Sequence, residues 1–118
     1  MIKYVAFVRR RKDFTREQFK DYWLTKHSQL EKVVLEKTAV KKIVANFTTE
    51  MAGLKEPPFD GFVELYFDSI EDMQAMIKSD IPKMMNKDEE NFIDTSDLTS
   101  TEKPRMRALV EEYVIGEK

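Results

Sequence analysis

The chain contains no cysteine, one histidine, one tryptophan, three glycines and four prolines in 118 residues. Without cysteine there is no disulfide framework, no thiolate metal ligand and no cysteine nucleophile, a pattern that fits a reducing compartment. A single histidine leaves no zinc site of the usual kinds and no two-histidine iron site. Three glycines do not build a phosphate-cradling loop, and no Gly-x-Ser-x-Gly turn occurs. An excess of charge is missing too: 20 basic against 22 acidic residues give a net charge of −2. Nucleic-acid binders normally carry a basic surplus. No apolar run approaches the length of a membrane span. The opening MIKYVAFVRRRK places its charge after the apolar stretch, the reverse of a secretory signal. The sequence therefore points to the cytoplasm, with no membrane, nucleic acid, metal or cofactor expected.

What is present is a folding chain. Hydrophobic residues make up 42% and charged residues 36%, and residues 1–118 read as one domain without repeats or low-complexity tracts. Ile2 to Arg9 is a short β-branched and aromatic run, a first strand. Thr15 and Gln18 form a capping-box pattern, and Phe19, Trp23, His27, Leu30 and Val34 then recur at helical spacing. This predicts an amphipathic helix from about Arg16 to about Leu35. Thr38 to Thr48 reads as a second strand, TEMAGLKEPP as a loop, and Phe62 to Phe67 as a third strand. Asp68 or Ser69 caps a helix carrying Ile70, Met73, Ala75, Met76 and Ile77. Pro82 suits the first turn of a short helix, and Asp88 suits the cap of another over Glu89 to Ile93. TSDLTSTEKP is a loop, and Met106 to Ile115 is the last strand.

The order β-α-β-β-α-β is that of an α+β, ferredoxin-like plait: a four-stranded antiparallel sheet with its helices on one face. In the third strand Val63, Leu65 and Phe67 alternate with Phe62, Glu64 and Tyr66, and the first set is assigned to the helices. Large apolar groups occur on both faces of the sheet. A second copy covering the open face would bury them, forming a dimeric α/β barrel with a lumen lined by Glu64, Tyr66 and Tyr113.

The helix segment FKDYWLTKH, with Phe19, Tyr22, Trp23 and His27, and the later DEENFID (Asp88 to Asp94) together resemble the EthD family. Its members carry an F-x-x-Y-W-x-x-x-H motif on the first helix and an acidic–aromatic motif ending in Phe-x-Asp before the last strand. The resemblance implies a homodimeric α/β barrel with a pocket beside the first helix of each protomer. The wider group includes polyketide cyclases, dehydratases, decarboxylases, quinol-forming monooxygenases and stress-related members without known chemistry, so the family name speaks to shape more than reaction.

His27 is the natural acid–base candidate, because an imidazole titrates near neutrality. Its alternative is a packed histidine bonded to a backbone carbonyl. Tyr22 would position a substrate oxygen or relay a proton. Asp94 would orient the imidazole, or else lie at a solvated helix end. Trp23 and Phe92 are candidate pocket walls, and Asn46, Glu64 and Tyr66 candidate polar contacts. A partly desolvated Glu64 would have a raised pKa, unless it forms a cross-strand pair with Lys41, Lys42 or Arg107. The function these residues suggest is cofactor-independent acid–base chemistry of the lyase, cyclase, dehydratase or isomerase type. Its substrate would be a small hydrophobic, oxygenated or aromatic compound. A non-catalytic binding or stress-response barrel uses the same residues. An RNA-recognition module shares the strand order and has Phe62 at a stacking position, but the net charge is against it.

Overall fold

The computed structural model describes residues 1–49, 56–96 and 105–118. Gly53 and much of the two polar stretches read as loops lie outside the described residues. Four strands, β1 (Ile2–Val8), β2 (Lys42–Phe47), β3 (Gly61–Phe67) and β4 (Arg107–Glu111), form one antiparallel sheet in the order β2-β3-β1-β4. This is the ferredoxin-like plait that the element order requires. The first helix is nearly continuous: α1 (Arg16–Tyr22), a π turn (Trp23–His27) and α2 (Ser28–Lys37). The predicted capping box starts α1, with Thr15 Oγ1 accepting from the Gln18 N–H and the Gln18 side chain accepting from the Thr15 N–H. Ser69 caps α3 (Ile70–Lys78) through the Asp72 N–H.

Two features differ from the sequence reading. The segment after α3 is one helix, α4 (Ile81–Glu89), that runs through Asp88 instead of starting there. The last strand stops at Glu111, and Tyr113, Val114 and Ile115 are 76%, 70% and 98% exposed. Their alternation is strand-like, but among the described residues β4 pairs only with β1, which begins at Ile2 and offers no residue opposite them.

The sheet alternation sorts as its period of two demands. Tyr4, Ala6 and Val8 face the helices with Val63, Leu65 and Phe67, and pack into two apolar clusters. One cluster centres on Val8, Phe19, Trp23, Phe92 and Ile93, the other on Val34, Val40, Phe67, Met73 and Met76. Gly61, at the start of the interior strand β3, lets β2 and α1 come close: a Cβ there would sit 2.6 Å from the Asn46 carbonyl oxygen and 3.4 Å from the Phe19 ring.

The opposite face carries no helix among the described residues, and a polar network crosses it. Lys3 bridges Glu64 and Glu112, the Tyr66 hydroxyl donates to Glu112 at 2.8 Å, and Asn46 Nδ2 donates to Glu64 at 3.0 Å. Beside it Phe7, Phe59 and Phe62 form an aromatic group with ring centres 4.8 to 6.3 Å apart. In the RRRK cluster Arg10 is ion-paired with Asp60 at 2.6 Å and Arg11 with Asp13 at 2.8 Å.

Candidate functional site

The site begins with the π turn. In an α-helix each i+4 step drifts by about 40° around the axis. A π turn rotates less per residue and takes back part of that drift, so four successive i+4 residues stay on one side. Phe19, Trp23, His27 and Glu31 are all buried on the inner face, and Glu31 occupies the place that the simple helical period assigns to Leu30. The Ser28 N–H reaches back five residues to the Trp23 carbonyl. Thr25 Oγ1 and Ser28 Oγ donate at 2.7 Å to the carbonyls of Asp21 and Leu24, which satisfies backbone oxygens around the widened turn.

The turn delivers His27, 3% exposed, to a carboxylate on α4. His27 Nδ1 lies 2.8 Å from Asp88 Oδ2, and the Tyr22 hydroxyl donates to Asp88 Oδ1 at 2.8 Å. Burial pushes the Asp88 carboxyl up, but its bonds with His27, Tyr22 and Asn91 outweigh that and hold it below the ordinary carboxylate value. Tyr22 is raised by burial and by its bond to Asp88. A carboxylate at Nδ1 requires a proton there, which leaves Nε2 as the base lone pair of the neutral ring. Phe92, fully buried, braces the arrangement: it stacks on Tyr22 at 4.8 Å and lies 4.9 Å from the imidazole. Phe92 is itself pinned to the end of β1, where its carbonyl accepts from the Arg11 N–H at 2.9 Å.

His27 opens on a cavity of about 300 Å³ between the sheet and the helices, at the seam of the two apolar clusters. Its floor is Tyr4, Ala6, Val8, Ile43, Val63 and Leu65 from the sheet. Its walls are Trp23 and Val34 on one side and Met76, Ile81 and Met85 on the other. The polar groups at its surface are His27, Glu31, Asn86, Glu89, Arg105 and Arg107. Arg105 Nη1 bonds Glu89 at 3.2 Å, and Trp23 Nε1 donates to Glu31 Oε1 at 2.9 Å. An apolar chamber with polar groups converging at one part of its wall is the usual form of a small-molecule site.

The structure separates the residues singled out from sequence. His27 and Trp23 line the cavity. Tyr22 stands behind His27 and meets it through Asp88. Asp94 does not orient the imidazole: its carboxylate accepts from Ser96, because the chain after Phe92 turns outward along β1 and carries Asp94 to the surface. Phe92 is an internal brace rather than a pocket wall. Asn46, Glu64 and Tyr66 lie on the other face of the sheet, since their register positions alternate with those of Ala45, Val63 and Leu65. The lumen that was to be lined by Glu64 and Tyr66 is therefore not the chamber His27 overlooks. Glu64 also titrates in the opposite sense to that expected. Burial pushes it up, but the bonds from Lys3 and Asn46 prevail and hold it below the ordinary value. Sequence reasoning missed Glu31, Glu89 and Arg105, and took Asp88 for a helix cap. Its helical spacing from Trp23 and His27 was the signal that could have found Glu31. Among the described residues no group of three His, Cys, Asp or Glu side chains could hold a metal ion, and no helix is long and apolar enough to cross a membrane.

The family model described as "EthD domain" matches residues 11–96. The chain belongs to the EthD family. Among solved structures, an ethyl tert-butyl ether d (EthD) family protein from Bacillus halodurans is similar at 18% identity, with 96% of this chain and 99% of that one covered and a TM-score of 0.66. An EthD-like protein from Ralstonia eutropha shares 17% identity over 98% of this chain and 94% of its own, with a TM-score of 0.69. A protein from Bacteroides fragilis, described as dimeric, of unknown function and of ferredoxin-like fold, is 14% identical over 92% and 91% of the two chains, with a TM-score of 0.58. Among curated proteins nothing matches. At these identities the solved relatives establish the fold that this EthD domain shares with them. The residues of the first-helix motif divide by role: Phe19 is buried core, Trp23 is core that also lines the cavity, and His27 meets the cavity.

Proposed function

We propose that this EthD domain is a small-molecule enzyme that needs no cofactor. His27 acts as the acid–base group, with Asp88 and Tyr22 as positioning residues. The observation that carries the reading is a buried imidazole whose Nδ1 is held by Asp88 and whose ring reaches an apolar cavity of about 300 Å³. Held this way, Nε2 can take a proton from carbon or oxygen of a bound compound and return it, and the imidazolium formed is stabilised by Asp88. The cavity suits a hydrophobic compound bearing oxygen, and the reactions open to it are elimination, cyclisation and isomerisation.

The test uses deuterium exchange, since it needs no knowledge of the natural substrate. In D₂O the protein should accelerate exchange of the acidic C–H of 1-phenyl-2-propanone, and His27→Ala should abolish the acceleration while the ketone still binds. Binding without exchange in the wild type, or undiminished exchange in His27→Ala, would favour the second reading, a binding module of the same shape.

A second copy covers the open sheet face in this proposal. The support is the Phe7, Phe59 and Phe62 group on a face without helices, together with the dimeric description of the Bacteroides fragilis relative. Phe62→Lys should convert a two-subunit mass in light scattering to that of one subunit. A single-subunit mass in the wild type refutes the pairing. A chain of this kind works in the cytoplasm, without nucleic acid or membrane as partner.

A further inference from the structure

We propose that Glu31 is a second ligand-contacting group of the cavity, and that its carboxyl group hydrogen-bonds an oxygen of the bound compound. The inference rests on the reading of this cavity as a small-molecule site. Glu31 is 7% exposed and lines the cavity one helical turn beyond His27. Trp23 Nε1 fixes its Oε1 at 2.9 Å, while Oε2 makes no hydrogen bond among the described residues. A largely buried carboxyl group with one oxygen left unbonded on the wall of an apolar chamber is placed to bond whatever enters that chamber.

The surroundings push Glu31 toward its neutral form. The charged and titratable groups lining the same cavity are His27, Tyr4 on β1, Glu89 on α4, and Arg105 and Arg107 at the start of β4. Arg105 is engaged with Glu89 at 3.2 Å, Arg107 is exposed, and no cation forms an ion pair with Glu31 among the described residues. Burial pushes the Glu31 carboxyl up, opposed by charge at His27 and by the indole bond. An indole N–H only donates, so Oε1 must accept, and the proton of the neutral acid then belongs to Oε2. That O–H is suited to a carbonyl or ether oxygen. The ligand class is thus a neutral apolar molecule carrying an acceptor oxygen that takes the Glu31 O–H.

The test compares acetophenone with ethylbenzene, which match in size and differ at the carbonyl. Binding to the full chain is followed by amide NMR shifts of the cavity residues. Wild type should prefer acetophenone about fivefold, the worth of one net hydrogen bond, and lose the preference as the pH rises through the ionisation of Glu31. Glu31→Gln should keep the preference without the pH dependence, and Glu31→Leu should lose it. Trp23 is the only tryptophan, so its emission reports the carboxyl it bonds without any ligand. In a His27→Gln background that emission should titrate above the ordinary carboxylate range, and adding Glu31→Gln should remove the transition. A preference that survives in Glu31→Leu, or an emission transition that survives Glu31→Gln, overturns the proposal. If both compounds bind wild type equally, only the Glu31 assignment falls. If neither binds, the cavity reading falls and takes this inference with it. Should Glu31→Leu not fold, the glutamine variant and the ligand-free emission decide.

Discussion

Replacing Asp88 by alanine tests the tie between α4 and the first helix. The substitution removes the acceptor of the Tyr22 hydroxyl and of His27 Nδ1, each at 2.8 Å. Alanine is a good helix former, so α4 itself is not weakened. Bonds to a charged acceptor contribute roughly 1.5 kcal/mol or more each, but Asp88 is partly open to water, which can replace some of the loss. A cost of about 2 kcal/mol follows. With an unfolding entropy of about 2.1 cal/mol/K per residue, the chain should lose about 8 °C in Tm at fixed protein concentration. The pH dependence has a definite sign. Asp88 is held below the ordinary carboxylate value when folded. Its contribution is therefore fully present above the unfolded pKa and is lost as the pH falls through the lower folded one. Thermal unfolding by circular dichroism should show the full gap near pH 7, and the gap should close as the pH falls below the ordinary carboxylate range. Nitrogen NMR of the single imidazole should show Nδ1 protonated in the neutral wild-type ring and a mixture of tautomers in the variant. A Tm within about 2 °C of wild type at neutral pH, or a gap that persists in acid, would falsify the reasoning.

Three further outcomes are expected. Gly61→Ala forces a Cβ to 2.6 Å from the Asn46 carbonyl oxygen, so β2 and β3 must part locally; urea unfolding should register a loss of roughly 1–3 kcal/mol, and an unchanged midpoint contradicts the close approach. Lys3→Met keeps the aliphatic stem but strips the cation from Glu64 and Glu112. Lys3 is raised by these bonds, while Glu64 and Glu112 are lowered. The loss of a few degrees in Tm should therefore span the neutral range and vanish both in acid and at strongly alkaline pH. Ala6→Met sends a flexible apolar chain from β1 into the cavity; it should abolish acetophenone binding with Tm unchanged or raised, and retained binding would place the ligand elsewhere.

Periodicity made the scaffold legible. Alternation in β3 assigned Val63, Leu65 and Phe67 to one face, and steps of three and four placed Phe19, Trp23, His27 and Val34 inward, because strand and helix geometry are local properties of the backbone. The same locality explains the errors. A period of 3.6 assigns the next inward position to Leu30, whereas the π turn resets the phase and turns Glu31 in. The strand-like alternation of Glu112 to Ile115 continued past the point where β1 could pair with it.

By itself the sequence determined the element order, the capping at Thr15, the inward face of the first helix, and the singularity of His27 as an acid–base group. Which carboxylate meets that imidazole was decided only in three dimensions. Asp88 and Asp94 are six residues apart and chemically alike, but helix α4 carries the first against His27, while the backbone bonds of Arg9 and Arg11 draw the second out along β1. The side of the sheet that faces a chamber was decided there as well. The separation of Glu64 and Tyr66 from His27 follows from the alternation of β3, but that the chamber opens between the sheet and the helices is a long-range packing outcome that no short-range pattern contains.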